Sequence, residues 1–249
     1  MATYVLVPGG FHGAWCWEKL TPKLTAAGHR VFPLALPGVG ERLGEARPDT
    51  GLNSHVRDVV DVLVSNDLHD TILVGHSYGG LVITGVADRA IERIGHLVYF
   101  DALVPRGNQS LGDLLPLDIR KMRRAAVKRG EGWQVPPPSL HMNRIPGIDG
   151  LFGVVDETDM RWVRENLTPH PLKCFEERLD LRHPERLDSL PRTYIHCTGG
   201  GWLFRLSRRF KPAYLPPTDP GWHHRGLPTG HDAMITMPEE TAGVLTDLA

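Results

Sequence analysis

Thirteen consecutive residues, Thr71-Ile72-Leu73-Val74-Gly75-His76-Ser77-Tyr78-Gly79-Gly80-Leu81-Val82-Ile83, restrict the fold of this chain more than any other stretch. A β-branched apolar run stops at Gly-His-Ser-Tyr-Gly, and an apolar helical pattern begins at once. This is G-x-S-x-G between a strand and a helix, the setting in which the motif has a mechanism. Gly75 and Gly79 permit a turn so sharp that Ser77 takes strained backbone angles. The strain lifts its hydroxyl clear of the sheet edge, and the following helix aims N-terminal N–H groups at negative charge forming beside it. In the alternative, a Gly-rich turn, the serine merely caps the helix. The flanks TILV and GGLVITGVA favour the strained turn.

A chain of 249 residues suits one α/β domain with an insertion. Its 41% hydrophobic and 23% charged content is that of an ordinary globule with ample core. A net charge of −1 argues against nucleic acid or an anionic membrane as partner. Cys16, Cys174 and Cys197 match no metal spacing, and reduced thiols in a cytoplasm are the simplest reading. A first strand almost at Met1 leaves no space for a signal peptide, and no apolar run is long enough to span a bilayer.

Tyr4 to Val7 reads as a buried strand entering Pro8-Gly9-Gly10-Phe11-His12-Gly13. That loop has neither G-x-G-x-x-G nor Gly-Lys-Ser/Thr, so it meets no nucleotide signature, yet its backbone can approach a ligand closely. Helical spacing covers Trp15 to Ala27, with Gly28 as stop, and Leu52 to Leu68. Strands are expected at Val31–Leu36, His96–Phe100 and Arg192–Cys197, with a short one within Gly221–Leu227. Between residues 105 and 188 the pattern changes to basic helical pieces (Ile119–Arg129, Thr158–Asn166) and a Pro136-Pro137-Pro138 knot. We read 105–188 as a cap over a core made of 1–104 and 189–249. Trp202–Phe210 is expected to be helical, and Pro238–Leu248 to be the last helix. Alternating strands and helices predict an α/β fold: a mostly parallel central sheet with helices on both faces. Active groups then belong at the carboxyl ends of the strands, where Phe11, Ser77, Asp101 and His231 fall.

Serine is a poor nucleophile until a base takes its proton, and histidine suits that task near neutral pH. Position chooses among 13 histidines. His76 is turned elsewhere by the elbow, His12 is a candidate brace for its loop, and His223 and His224 lie in a polar, solvated segment. His231 follows the last strand, where the order nucleophile–acid–base keeps its base. The acid must be a buried carboxylate beside His231. After RTYIHC the chain offers Thr198-Gly199-Gly200-Gly201, with no carboxylate, so Asp101 at the preceding strand end is the best substitute, the other reading being that it only caps the chain's exit through its side-chain oxygens. Asp232 adjoins the histidine in sequence but points away from its ring. For an oxyanion, the Tyr78 backbone N–H is one donor and Gly10 the second, with Phe11 as alternative. Tyr78 and Trp133 are candidate walls of an aromatic pocket, with ordinary packing as the other reading.

Residues 4–40, the GHSYGG elbow and the GHDAMITMPEE ending resemble the α/β-hydrolase superfamily, and within it the branch of plant methylesterases, hydroxynitrile lyases and bacterial esterases. The resemblance implies an α/β-hydrolase fold with a helical cap insertion, Ser77 as nucleophile, His231 as base, and Gly10 and Tyr78 as oxyanion donors. The acid that many relatives carry after the RTYIHC strand is missing here, which favours Asp101. Lyases of this branch use a first-loop threonine and a lysine beside the histidine. Here Gly9 and Asp232 stand there, which argues against cyanohydrin cleavage. The expected activity is serine hydrolysis of a small apolar ester or carbamate, an aromatic methyl carbamate included, without metal or organic cofactor. A cofactor-free lyase or oxygenase and a non-catalytic ligand receptor are the alternatives. The oligomeric state is open between monomer and homodimer.

Overall fold

In the computed structural model, residues 1–138, 150, 152–199, 213 and 215–249 are described. Six strands form one sheet: β1 (Thr3–Val7), β2 (Arg30–Pro33), β3 (Thr71–His76), β4 (Ile94–Phe100), β7 (Arg192–Cys197) and β8 (Trp222–Leu227). Their order is β2-β1-β3-β4-β7-β8, and every pairing is parallel. The chain leaves β1 for one side and returns to β3 on the other, so a topological switch point lies between them. Crevices outside the carboxyl ends of strands at such a point are where open α/β sheets bind ligands.

Alternation along the strands shows why both faces are covered. Val5, Val7, Leu73, Leu97 and Tyr99 enter one core with Val56, Val59 and Leu63 of α2 (Leu52–Ser65) and Val82, Ile83 and Val86 of α3 (Gly79–Arg89). Tyr4, Leu6, Ile72, Val74, Val98 and Phe100 point the opposite way, onto Trp15, Trp17, Leu20, Leu24 and Leu245. A period of two thus divides each strand between two cores, each fully buried side chain contributing about 1.5–3 kcal/mol.

Some elements differ from the expected ones. The helix foreseen over Trp15–Ala27 is two pieces, a 3-10 turn Ala14–Trp17 and α1 (Thr21–Ala26). Pro22 has no N–H to return to residue 18, so a continuous helix cannot pass through it. β2 occupies Arg30–Pro33 rather than running to Leu36. α2 stops at Ser65, and Asp67 beyond it has φ 47°. The final helix is α9 (Pro238–Thr246), preceded by α8 (Ala233–Thr236). The helix expected at Trp202–Phe210 lies outside the described residues.

Between β4 and β7 lie α4 (Leu111–Leu114), α5 (Pro116–Arg129), β5 (Gln134–Val135), α6 (Glu157–Asn166), β6 (His170–Pro171) and α7 (Lys173–Glu176). β5 and β6 pair antiparallel. Ile119, Ala126, Val135, Cys174 and Phe175 join the core of α2 and α3. Among the described residues, no helix is long and apolar enough to cross a membrane.

Candidate active site

Ser77 sits between β3 and α3 with φ 53°, in the left-handed region that non-glycine residues avoid. The glycines around it allow the turn. A Cβ on Gly75 would lie 2.6 Å from the Gly79 carbonyl oxygen, and one on Gly79 would lie 2.8 Å from that of Val7. Three hydrogen bonds fix the elbow: the Ser77 N–H donates to the Phe100 carbonyl, while the N–H groups of Gly80 and Leu103 donate to the Ser77 carbonyl.

His231, nearly buried, lies between β8 and α8 and comes against the elbow: its ring centroid is 4.5 Å from that of His76. His231 Nδ1 donates to Asp101 Oδ2 at 2.6 Å. That bond leaves Nε2 as the nitrogen for proton exchange. Asp101 is fully buried just past β4, with φ 44°. Its other oxygen accepts the Cys197 N–H at 3.1 Å, and its own N–H donates to the Ile195 carbonyl at 2.7 Å. β7 therefore supplies one backbone donor, the Cys197 N–H, and one backbone acceptor, the Ile195 carbonyl, and the end of β4 supplies the carboxylate that meets His231.

The first loop approaches Ser77 very closely. A Cβ on Gly9 would lie 2.8 Å from His76 Nδ1 and 3.0 Å from Ser77 Cβ. One on Gly10 would meet Phe175 Cζ at 3.3 Å and Tyr78 Cβ at 3.9 Å, so Gly10 and Tyr78 stand side by side. Among the described residues neither their N–H groups find a protein acceptor. Phe11 is a correction. Its N–H donates to His170 Nδ1 at 3.1 Å, which withdraws it as an oxyanion donor, and its ring packs on His170 and Phe175.

The two candidate walls of an aromatic pocket, Tyr78 and Trp133, differ in their surroundings. Tyr78 is core: its hydroxyl bonds His55 Nδ1 at 3.0 Å, and its ring neighbours are His55, His170 and Phe175. Trp133 is half-buried just before β5, its carbonyl accepting the Leu172 N–H. His223 and His224 are exposed, though on β8. His76 turns away from the substrate side and donates from Nε2 to the His231 carbonyl at 3.1 Å. Burial lowers it to about 3, so it stays neutral.

His12 braces its loop, as expected, through Nδ1 on the Gly10 carbonyl at 2.8 Å. Sequence reasoning missed its other partner. His12 Nε2 lies 3.1 Å from Asp232 Oδ2, and both side chains are buried. Burial alone would lower His12, but the Asp232 charge and hydrogen bond, with the Gly10 carbonyl, carry it above its ordinary value. Burial likewise pushes the Asp232 carboxyl up, and His12, His76 and His231 outweigh it and hold the group below the usual carboxylate range.

Among the described residues two clusters have metal-ligand spacing, His55–His170–Cys174 and His76–His231–Asp232. In the first, the donor atoms already serve the protein. His55 Nε2 donates to the Pro37 carbonyl and Cys174 Sγ to that of Thr50, while His170 Nδ1 accepts from Phe11. With Nδ1 bare, the neutral His170 carries its proton on Nε2, the atom that would have to ligate. In the second, His231 Nδ1 is held by Asp101 and His76 Nε2 by a backbone carbonyl.

Known proteins resemble this chain in sequence and in fold. A carbendazim hydrolyzing esterase of Nocardioides sp. (strain SG-4G) is 37% identical, with 100% of each chain covered. Methylesterase 2 of Arabidopsis thaliana is 36% identical over 78% of this chain and 76% of the relative. Among solved structures, an extracellular alpha/beta-hydrolase from a Paenibacillus species superposes with a TM-score of 0.79 at 23% identity, covering 99% of this chain and 98% of the other. Because the model of that family matches residues 4–244 and the bacterial esterase aligns over the whole length, the chain belongs to the alpha/beta hydrolase family.

Proposed function

We propose that this hydrolase is a serine esterase whose substrate is a small apolar ester or the methyl carbamate of an aromatic ring. His231 Nε2 takes the Ser77 proton as Oγ attacks the carbonyl carbon. The oxyanion is met by the N–H groups of Gly10 and Tyr78. Collapse expels the alcohol, methanol for a methyl carbamate, with the proton returned by His231. Water activated by the same imidazole then releases the acid. From a carbamoyl-enzyme the released carbamic acid loses carbon dioxide and leaves the aryl amine. Asp101 keeps the imidazole in the Nδ1–H tautomer and stabilises the imidazolium. Residues 105–188 act as the cap that shapes the substrate side.

The observation that carries this reading is the 2.6 Å bond from His231 Nδ1 to the buried Asp101, beside a serine at φ 53°. The carbamate is favoured because the Nocardioides relative hydrolyses carbendazim, a methyl carbamate. A fluorophosphonate probe followed by a panel of p-nitrophenyl esters, methyl esters, lactones and aryl methyl carbamates tests it. Labelling lost in Ser77→Ala, with turnover of at least one ester or carbamate, is the expected result. A folded protein that turns over a substrate without labelling would be a lyase or oxygenase; one that does neither would be a receptor.

A further inference from the structure

Asp232 is fully buried, and the hydrolytic steps make no use of its carboxylate. The ring of His12 lies between the Gly10 carbonyl oxygen at Nδ1, 2.8 Å away, and Asp232 Oδ2 at Nε2, 3.1 Å away, which only accepts in the ionised carboxylate that its surroundings favour. Both contacts are hydrogen bonds only if both ring nitrogens carry protons. Other groups facing His12 are Trp15, stacked at 5.1 Å, Phe152 at 4.9 Å and His76 at 6.0 Å. The indole face suits a cation, and His76 is neutral. Among the described residues Asp232 Oδ1 has no hydrogen-bond partner; it lies 3.6 Å from His76 Nε2, the nitrogen that holds the His231 carbonyl.

We propose that His12 and Asp232 are positioning residues: a buried imidazolium–carboxylate pair that fixes the oxyanion loop relative to His231. The Gly10–Phe11 peptide is held at both ends, its carbonyl by His12 and its N–H by His170. The His12 N–H holds the Gly9 carbonyl at 3.4 Å. With those groups tied down, the Gly10 N–H keeps its direction toward the nucleophile. Asp232 follows His231 directly in the chain, so one carboxylate references both halves of the site. Its action on rate rests on the serine-hydrolase reading above; its protonation state does not.

Nitrogen-15 spectra of the histidine rings at about pH 7.5, with His12 assigned by its loss in His12→Gln, are expected to show two protonated ring nitrogens in wild type and one in Asp232→Asn. One protonated nitrogen in wild type would overturn the pair. In kinetics normalised to fluorophosphonate-labelled Ser77, His12→Gln should lower kcat about tenfold to hundredfold with little change in KM, as displaced catalytic geometry does. Asp232→Asn, which can still bond a neutral His12, should lose less. Affinity for a boronic acid that mimics the tetrahedral intermediate should fall in parallel with kcat. Unchanged kcat and boronate affinity in His12→Gln would refute the positioning role. If His12→Gln does not fold, Asp232→Asn is read the same way. If wild type never labels, the hydrolase reading fails while the nitrogen spectra still decide the pair.

Discussion

Phe11, Ser77 and Asp101 have φ of 71°, 53° and 44°, and each lies just beyond the carboxyl end of a core strand. Backbone strain of this kind costs about 1–3 kcal/mol per residue and persists where the surroundings over-determine it. Aspartate and asparagine tolerate the left-handed region better than most residues, so Asp101→Asn is a clean test. It keeps the shape and can still accept the Cys197 N–H, but it no longer holds His231 as a carboxylate does. We expect kcat to fall on the order of 10⁴-fold, with the thermal melt nearly unchanged by circular dichroism. Gly9→Ala is predicted to fail differently. A methyl group 2.8 Å from His76 Nδ1 and 3.0 Å from Ser77 Cβ must push the loop back, lowering kcat/KM about 10²-fold as read in the ester assay. Ser77 and His231 were legible because a motif and a chain order single them out. Asp101 was legible because β7 ends without a carboxylate. The His12–Asp232 and Phe11–His170 bonds were not, since their partners are 220 and 159 residues apart with no spacing rule to join them.

At the scale of elements, the strand–elbow–helix unit is the part whose parts all agree. β3 is buried at every position, and α3 at all but its last. Its glycines are required by the packing. A Cβ on Gly75 would meet the Gly79 carbonyl oxygen at 2.6 Å and Ile83 Cγ2 at 2.9 Å; one on Gly80 would meet the Leu103 carbonyl oxygen at 2.2 Å. Gly75→Ala should therefore destabilise the protein by about 1–3 kcal/mol or more, the range for overpacking, seen as a lower urea midpoint. An unshifted midpoint would mean that β3 and α3 are less tightly joined than these distances require. The misread elements fail for local reasons. Apolar spacing over 15–27 pointed to one helix, and Pro22 divides it. The run from Val31 to Leu36 was apolar enough for a strand, but β2 is an edge strand paired with β1 alone, and pairing ends at Pro33.

The whole molecule encloses several histidines in their neutral form. Burial lowers His55 to about 4 and His76 to about 3, and it holds His170 well below its ordinary value. The unfolded chain protonates such rings near pH 6.5, so as pH falls from there the unfolded state binds more protons and stability drops. Each ring contributes up to about 1.4 kcal/mol per pH unit. His12 acts in the opposite sense. Its raised value adds stability that is complete below about pH 6.5 and lost as pH rises through the folded value. Urea unfolding followed across pH should therefore show stability greatest near neutrality and falling steeply toward pH 5. A flat profile there would mean that these rings are solvated. What the sequence by itself determined was whatever neighbours in the chain decide: alternation that divides strands between two cores, a G-x-S-x-G turn around a serine, and the order in which Ser77, Asp101 and His231 occur at strand ends. Only the tertiary structure decided which oxygen each ring nitrogen meets. Those contacts join the first loop, β6 and the last loop across more than a hundred residues, and hydrogen bonds need atoms within about 3 Å, a precision that periodicity does not carry.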